Sequence, residues 1–157
     1  MTHARISFRT AILLIVLAAS AAVGAQGRPR QKTAPPLEAD VYLTPTCGCC
    51  GKWVQHLEAA KFIVKRTVTP ELDAVPARRR VPETLRSCHT AVVGKYLVEG
   101  HVPVDLVERL LKERPAIAGI AVPGMPIGSP GMEGPNPQPY SIVAFRADGT
   151  TYEFARR

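Results

Sequence analysis

The sequence has few aromatic residues and few charged residues, and it contains only one long apolar run. Aromatic residues make up 6% and charged residues 21% of the 157 positions, while 46% are hydrophobic. This balance excludes a coiled coil and a wholly disordered chain, and the length suits one domain. Residues 1–37 contain no acidic residue and five of the 20 basic ones. The rest of the chain has 15 basic and 13 acidic residues, a near balance that gives no support for nucleic-acid binding.

The one long apolar run lies at the N-terminus. It covers 15 residues, 11–25, whereas a bilayer span needs about 20. Arg5 and Arg9 precede it, and small residues end it at Ala25. A basic head, a short apolar middle and a small-residue exit are typical of a secretory signal peptide. We therefore expect residues 1–25 to be removed on export, which leaves no membrane span; an uncleaved anchor is the alternative.

The rest of the chain divides into a tether and one folded domain. Residues 26–37 (QGRPRQKTAPPL) are basic and rich in proline, without apolar periodicity, and are expected to be a disordered tether. Residues 38–157 form the predicted folded domain. No repeat of 20–50 residues is visible in the sequence, so a solenoid is not expected.

Apolar spacing, together with the positions of proline and glycine, predicts an α/β domain. Residues 118–140 (AGIAVPGMPIGSPGMEGPNPQPY) are expected to be a long functional loop. The order of elements indicates a thioredoxin-like fold whose first two strands are parallel. The predicted elements are strands at 40–44 and 62–68 around a helix at 48–61, short helical pieces within 70–86, a hairpin of 90–94 and 96–99, a helix at 103–112, and a terminal hairpin of 141–146 and 150–155.

The chemistry of the sequence is concentrated in the motif TCGCCG. It holds Cys47, Cys49 and Cys50, three of the four cysteines of the chain, at the predicted start of the first helix. Unpaired backbone N–H groups at a helix start stabilise thiolates and lower their pKa. Two structural disulfides are one interpretation of four cysteines in an exported protein. Three crowded cysteines, however, close only short loops, which remove little chain entropy.

Two chemical interpretations remain. Cys47 and Cys50 form a C-x-x-C pair that could exchange disulfides as thioredoxin does. Alternatively, the cysteines bind a soft metal, and Cys49 favours this interpretation because a third thiol beside a redox pair invites wrong disulfides. Cu(I) gains from each added sulfur, whereas a zinc site usually draws its ligands from two separated pairs. We therefore expect copper, as Cu(I), in a site that could be polynuclear.

The fourth cysteine, Cys88, precedes the strand predicted at 90–94. In thioredoxin-like folds this segment packs against the redox cysteines, so Cys88 is expected to face Cys47 and Cys50, although a lone cysteine is often a small buried hydrophobe. His89 could ligate copper or hydrogen-bond a thiolate. Met125 and Met132 carry thioethers that prefer Cu(I), and either could ligate the metal or cover the site. We expect His101 to have a capping or structural role and His56 to be a solvated surface residue.

Three separated motifs occur in order: TPTCGCCGKWVQHL, VPETLRSCHTAVVGKYLVEGHVP and AVPGMPIGSPGMEG. Together they resemble the CopG-type periplasmic copper-resistance proteins, many of them known only as an uncharacterised metal-binding family, over residues 40–155. The resemblance implies a thioredoxin-like fold and a thiolate-bridged copper site on Cys47, Cys49, Cys50 and Cys88. It also implies a role in periplasmic copper handling, with other copper-handling proteins as partners. Storage, transfer and cycling between Cu(I) and Cu(II) all stay open at this point.

Export gives the first testable prediction. Cleavage after Ala25 would leave 132 of the 157 residues, so intact-mass measurement of protein from an envelope extract should place the N-terminus near Gln26. A chain that retains Met1 in the cytoplasm contradicts the prediction.

Overall fold

The computed structural model describes residues 36–157. The predicted signal peptide, residues 1–25, lies outside the described residues, as does the predicted tether except for Pro36 and Leu37. Within the described part, no helix has both the length and the apolar character needed to cross a membrane.

A seven-stranded mixed sheet forms the centre of the fold, in the order β2-β1-β3-β4-β5-β6-β7. Strand β1 is parallel to β2, and β4 is parallel to β5; all other neighbours are antiparallel. The parallel pairing of β1 and β2 across the first helix confirms the β–α–β unit expected from the sequence. The strands are β1 (Glu38–Leu43), β2 (Ile63–Val68), β3 (His89–Val93), β4 (Tyr96–Glu99), β5 (Gly119–Ala121), β6 (Ser141–Phe145) and β7 (Thr151–Arg156).

Two of the helices pack on one face of the sheet. Helix α1 (Gly48–Ala59) buries Cys50, Trp53, Val54 and Leu57, at the spacing that places residues on one helical face. Helix α3 (Val104–Glu113) buries Leu106, Val107 and Leu110. These side chains join alternate residues of β1, β3, β4, β5 and β6 in the larger core, so the start of α1 is fixed against the end of β1.

The opposite face is covered by the segment between β2 and β3. It consists of two 3-10 turns, Leu72–Ala74 and Glu83–Leu85, on either side of the one-turn helix α2 (Pro76–Arg79). Val81 and Leu85 from this segment pack on Leu97, Ala121 and Phe145. The sequence predicts two short helical pieces within 70–86, whereas the structure has three shorter ones. Pro76 and Pro82 each interrupt helical hydrogen bonding.

Strand β5 is not predicted by the sequence. Residues 118–140 were expected to be a loop throughout, but β5 occupies Gly119–Ala121. All three residues are buried, between β4 and β6. A Cβ on Gly119 would lie 2.1 Å from the Leu97 carbonyl oxygen, so the glycine that signalled a loop is required by the close approach of β4. The remaining residues, 122–140, do form a loop without helix or strand.

A buried charge network joins the α2 segment to the sheet. Glu99 is fully buried, and its carboxylate accepts hydrogen bonds from Arg78 (2.7 Å), the Ser87 N–H (2.6 Å) and the Thr90 hydroxyl (2.6 Å). Burial raises the pKa of Glu99, and these three donors oppose the rise. The contact with Ser87 fixes the backbone immediately before Cys88.

Removal of one residue of the buried Arg78–Glu99 ion pair should therefore destabilise the fold more than removal of both residues. In Glu99→Leu, Arg78 stays buried, and the exposed Asp73 is the one carboxylate left beside it among the described residues. We expect a loss of about 3–5 kcal/mol in the free energy of unfolding. The double variant Arg78→Met/Glu99→Leu should recover most of this loss, since no buried charge is then left unpaired. Urea denaturation of the two variants measures the difference; equal destabilisation would show that the pairing of charge is not what matters.

Candidate metal centre

The start of α1 gathers three cysteines. Strand β1 ends at Leu43, and a turn closed by the Cys47 N–H on the Thr44 carbonyl (3.3 Å) leads into the helix. Cys47 is the N-cap residue, and no side chain caps the first turn. Cys49 and Cys50 lie in that turn, so their sulfur atoms are close to unpaired backbone N–H groups.

Cys88 joins these three cysteines from the segment before β3, because His89, the first residue of β3, pairs with Leu43 at the end of β1. The four sulfur atoms all lie within 4.8 Å of one another, and the Cys50 sulfur is 3.5 Å from the Cys88 carbonyl oxygen. The structure thus brings together the four cysteines that the sequence singled out, and it places Cys88 opposite the helix start as its position before β3 predicted.

Two of these cysteines are already bonded to each other. Cys47 and Cys50 form a disulfide, while Cys49 and Cys88 are free. The Cys49 sulfur lies 3.4 Å from that of Cys47. Four thiolates are therefore available to a metal only after the disulfide is reduced, and the site has two chemically different states.

His101 lies at the site, whereas the sequence predicts a capping or structural role for it. Its Nδ1–H donates to the Pro130 carbonyl (2.8 Å), and its Nε2 lies 3.2 Å from the Cys88 sulfur. Since a carbonyl can only accept, the proton is on Nδ1, and Nε2 presents its lone pair to Cys88. Metal-binding histidines usually donate their other N–H to such an acceptor. His101 has both a structural contact and the orientation of a ligand.

His89 is one of two fully buried histidines at the site, the other being His101. The Nδ1 of His89 lies 3.5 Å from the Cys88 sulfur, and its Nε2 has no hydrogen-bond partner among the described residues. Its ring centroid is 4.3 Å from that of Trp53 and 5.1 Å from that of His101. Burial lowers the pKa of His89 to about 3, and the neighbouring His101 contributes. The ring is therefore neutral at physiological pH and has a lone pair to offer.

Burial also affects the protonation of the other groups. It raises the pKa of the Cys88 thiol to about 11, although the nearby Ser87 hydroxyl opposes this rise. It lowers the pKa of His101, which the Pro130 carbonyl partly restores. Without metal, Cys88 is thus a thiol that donates to a neutral His101, and a metal bound there would have to displace that proton.

The two predicted methionines occupy different places on the loop 122–140. The Met125 sulfur is 3.9 Å from the Cys49 sulfur, and Met125 is 51% exposed. Met132 lines a surface groove that also contains Cys49 and Ile127. Its backbone closes two turns, by accepting from the Gly128 N–H (2.9 Å) and donating to the Ser129 carbonyl (2.8 Å). Met125 is therefore placed next to the cysteine cluster, whereas Met132 belongs to the wall beside it.

Close backbone packing holds this loop on α1. Gly131 has a φ of +87°, and a Cβ there would lie 2.7 Å from the Cys49 carbonyl oxygen and 2.9 Å from the Trp53 nitrogen. Only glycine fits both the conformation and the space. Glu133 accepts the Gly131 N–H (2.7 Å), which lowers the pKa of its carboxyl to about 2, and it also contacts the exposed His56 (2.7 Å).

The donor set suits soft and borderline metal ions. Cys47, Cys49, Cys50 and Cys88 supply sulfur alone, while Cys88, His89 and His101 form a second group whose ligand atoms lie within 4.8 Å of one another. Thiolates select Cu(I) and zinc, and imidazole suits zinc, copper, iron and nickel. Neither group contains a carboxylate, so the residues fit copper or zinc better than magnesium or calcium.

Comparisons with known proteins agree with this chemistry. Residues 85–132 match the family model described as "Protein of unknown function, DUF411". No curated protein matches the chain. Two solved structures, Form 2 and Form 1 of the copper resistance protein CopG, are 42% identical to it, each with a TM-score of 0.73 and 78% coverage of this chain. The matches cover 99% and 98% of those two chains, respectively. The chain belongs to the family of the copper resistance protein CopG.

Proposed function

We propose that this chain is an exported copper-binding protein that contributes to copper handling or resistance in the periplasm. In the reduced state, Cys47, Cys49, Cys50 and Cys88 hold Cu(I) as thiolates that bridge more than one ion. The observation that carries this proposal is the mutual proximity of the four sulfur atoms, within 4.8 Å, because soft thiolates select Cu(I). The copper-resistance function of the two CopG structures supports the choice of metal.

The surrounding residues supply softer and harder donors on opposite sides of the cluster. Met125, whose sulfur is 3.9 Å from that of Cys49, is a thioether ligand on the exposed side, and Met132 covers the adjoining groove. His89 and His101 lie beside Cys88 on the buried side. Imidazole also suits Cu(II), so this mixture supports cycling between Cu(I) and Cu(II) as part of the function.

The location and the topology belong to the same proposal. The basic, apolar and small-residue segments of 1–25 support export, and other periplasmic copper-handling proteins are the expected partners for copper delivery. A thioredoxin-like core consisting of β1, α1, β2, β3, β4 and α3 is supported by the parallel β1–β2 pair, the antiparallel β3 and the cysteines at the start of α1.

Copper stoichiometry tests the four-cysteine site. Anaerobically reduced protein should bind more than one Cu(I) per chain, and Cys88→Ser should lower this number because one bridging thiolate is lost. X-ray absorption of the copper form should show mainly sulfur neighbours. Binding releases thiol protons, so lowering the pH should weaken it.

The same chain with its disulfide intact is the matched control. Oxidation of Cys47 and Cys50 removes two of the four thiolates without any change of sequence, and the oxidised protein should bind less Cu(I). If Cys88→Ser binds as much Cu(I) as the parent, or nitrogen and oxygen dominate the X-ray absorption, the site has been assigned to the wrong residues.

A second candidate function is thiol–disulfide exchange. The disulfide between Cys47 and Cys50 favours it, since this is the C-x-x-C pair at a helix start that such enzymes use. Against it, the free sulfur of Cys49 lies 3.4 Å from that of Cys47, where it competes with any external thiol for the mixed disulfide.

A metal-free disulfide-reductase assay separates the two candidates. We expect little activity for the parent, because the third thiol intercepts the exchange. If dithiol exchange were the function, Cys49→Ser would leave activity largely intact while Cys47→Ser abolished it. Substantial activity with that pattern would favour the oxidoreductase over the copper protein.

A further inference from the structure

The disulfide form of the protein keeps a complete set of metal donors. The bond between Cys47 and Cys50 removes two sulfur atoms from the cysteine cluster. It leaves Cys88 free, together with His89 and His101, and the ligand atoms of these three residues lie within 4.8 Å of one another. None of the three depends on the oxidised pair for its own donor atom.

The distances within this group match those of a metal site. A tetrahedral ion at about 2.3 Å from sulfur and about 2.0 Å from nitrogen holds these two ligands roughly 3.5 Å apart. The Cys88 sulfur lies 3.2 Å from His101 Nε2 and 3.5 Å from His89 Nδ1. Each histidine is therefore spaced from Cys88 as two ligands of one ion are, and the three donor atoms lie within 4.8 Å of one another.

Both imidazoles are held in place before any metal arrives. His101 is oriented by its Nδ1–H bond to the Pro130 carbonyl, and Gly131 packs the following backbone against α1. His89 is enclosed between Trp53 and His101, and this packing holds its Nδ1 3.5 Å from the Cys88 sulfur.

We propose that the protein in its Cys47–Cys50 disulfide form binds one borderline divalent cation of the zinc class through Cys88, His89 and His101. A site of one thiolate and two imidazoles suits such ions better than Cu(I), which gains from additional sulfur. On binding, the Cys88 thiol loses its proton to solvent and the two neutral imidazoles lose none; no electron is transferred. The fourth position is left to solvent. Oxidation of the chain thus changes its metal preference from a soft monovalent ion to a borderline divalent one.

This inference does not depend on the copper site of the reduced protein, because it uses only one of the four cysteines and the opposite redox state. Failure of the reduced chain to bind Cu(I) would leave it intact. Conversely, a reduced chain that binds Cu(I) normally could still lack the divalent site.

Cobalt(II) is the probe, because its visible spectrum reports tetrahedral geometry and its near-ultraviolet bands report thiolate bonding. The full-length oxidised protein, verified to have two free thiols per chain, should bind one Co(II) with both signals, and Zn(II) should displace it. His101→Gln keeps an N–H for Pro130 but is a poor ligand; it should weaken Co(II) binding by at least about tenfold, as disruption of a metal ligand's support does.

Two further variants complete the test. Cys88→Ser should abolish the thiolate band, which a purely structural defect would not remove selectively. His56→Ala is the matched control, since His56 is an exposed histidine outside both donor groups, and it should bind Co(II) like the parent. Absence of tetrahedral Co(II) in the oxidised protein, or binding that survives His101→Gln unchanged, overturns the proposal.

Discussion

The register of the β3–β4 hairpin determines the composition of the metal centre. Val93 pairs with Tyr96 and Thr90 with Glu99, so the turn consists of Gly94 and Lys95 alone. The Gly100 N–H donates to the His89 carbonyl (3.1 Å) and extends the same register by one pair. The next residues outward are Cys88 and His101, which therefore meet at the edge of the sheet. A shift of one residue would move every side chain of the strand to the other face and separate the two donors.

Successive side chains of β3 and β4 point to opposite faces of the sheet, so neighbouring residues have different roles. His89 points to the face of α1 and stacks on Trp53, while Thr90 and Glu99 point to the face of Arg78. The buried carboxylate holds the Ser87 N–H (2.6 Å), and the Ser87 hydroxyl donates to the Gly124 carbonyl (3.0 Å). Strands β3 and β4 thus place the histidine donor on one face of the sheet. From the other face they anchor the segment that contains Cys88, and through Ser87 also the loop 122–140.

Much of this arrangement follows from local sequence signals. Helix α1, the parallel β1–β2 pair and the convergence of Cys88 on the CxCC motif were predictable because apolar spacing and a β–α–β order fix them. Strand β5 was not, since Gly119 fits a loop equally well until the close approach of Leu97 is known. His101 was also underestimated, although the hairpin turn at Gly94 and Lys95 places it across from Cys88. Its orientation depends on the Pro130 carbonyl, a contact between distant residues that no local pattern reveals.

Cys49 and Cys88 are the two thiols that both redox states of the site retain, and of these Cys88 lies beside both imidazoles. The four-sulfur group requires Cys47 and Cys50 as thiolates, and the disulfide between them removes that group as a whole. Cys88 lies behind these residues, beside two imidazoles that oxidation of thiols does not alter. Burial keeps its thiol protonated and therefore a poor nucleophile, because the thiolate is the form that attacks disulfides. Because of this burial, a metal that binds Cys88 must displace the thiol proton. The same burial protects Cys88 from exchange with the Cys47–Cys50 disulfide. The divalent donor group can therefore persist while Cys47 and Cys50 are oxidised.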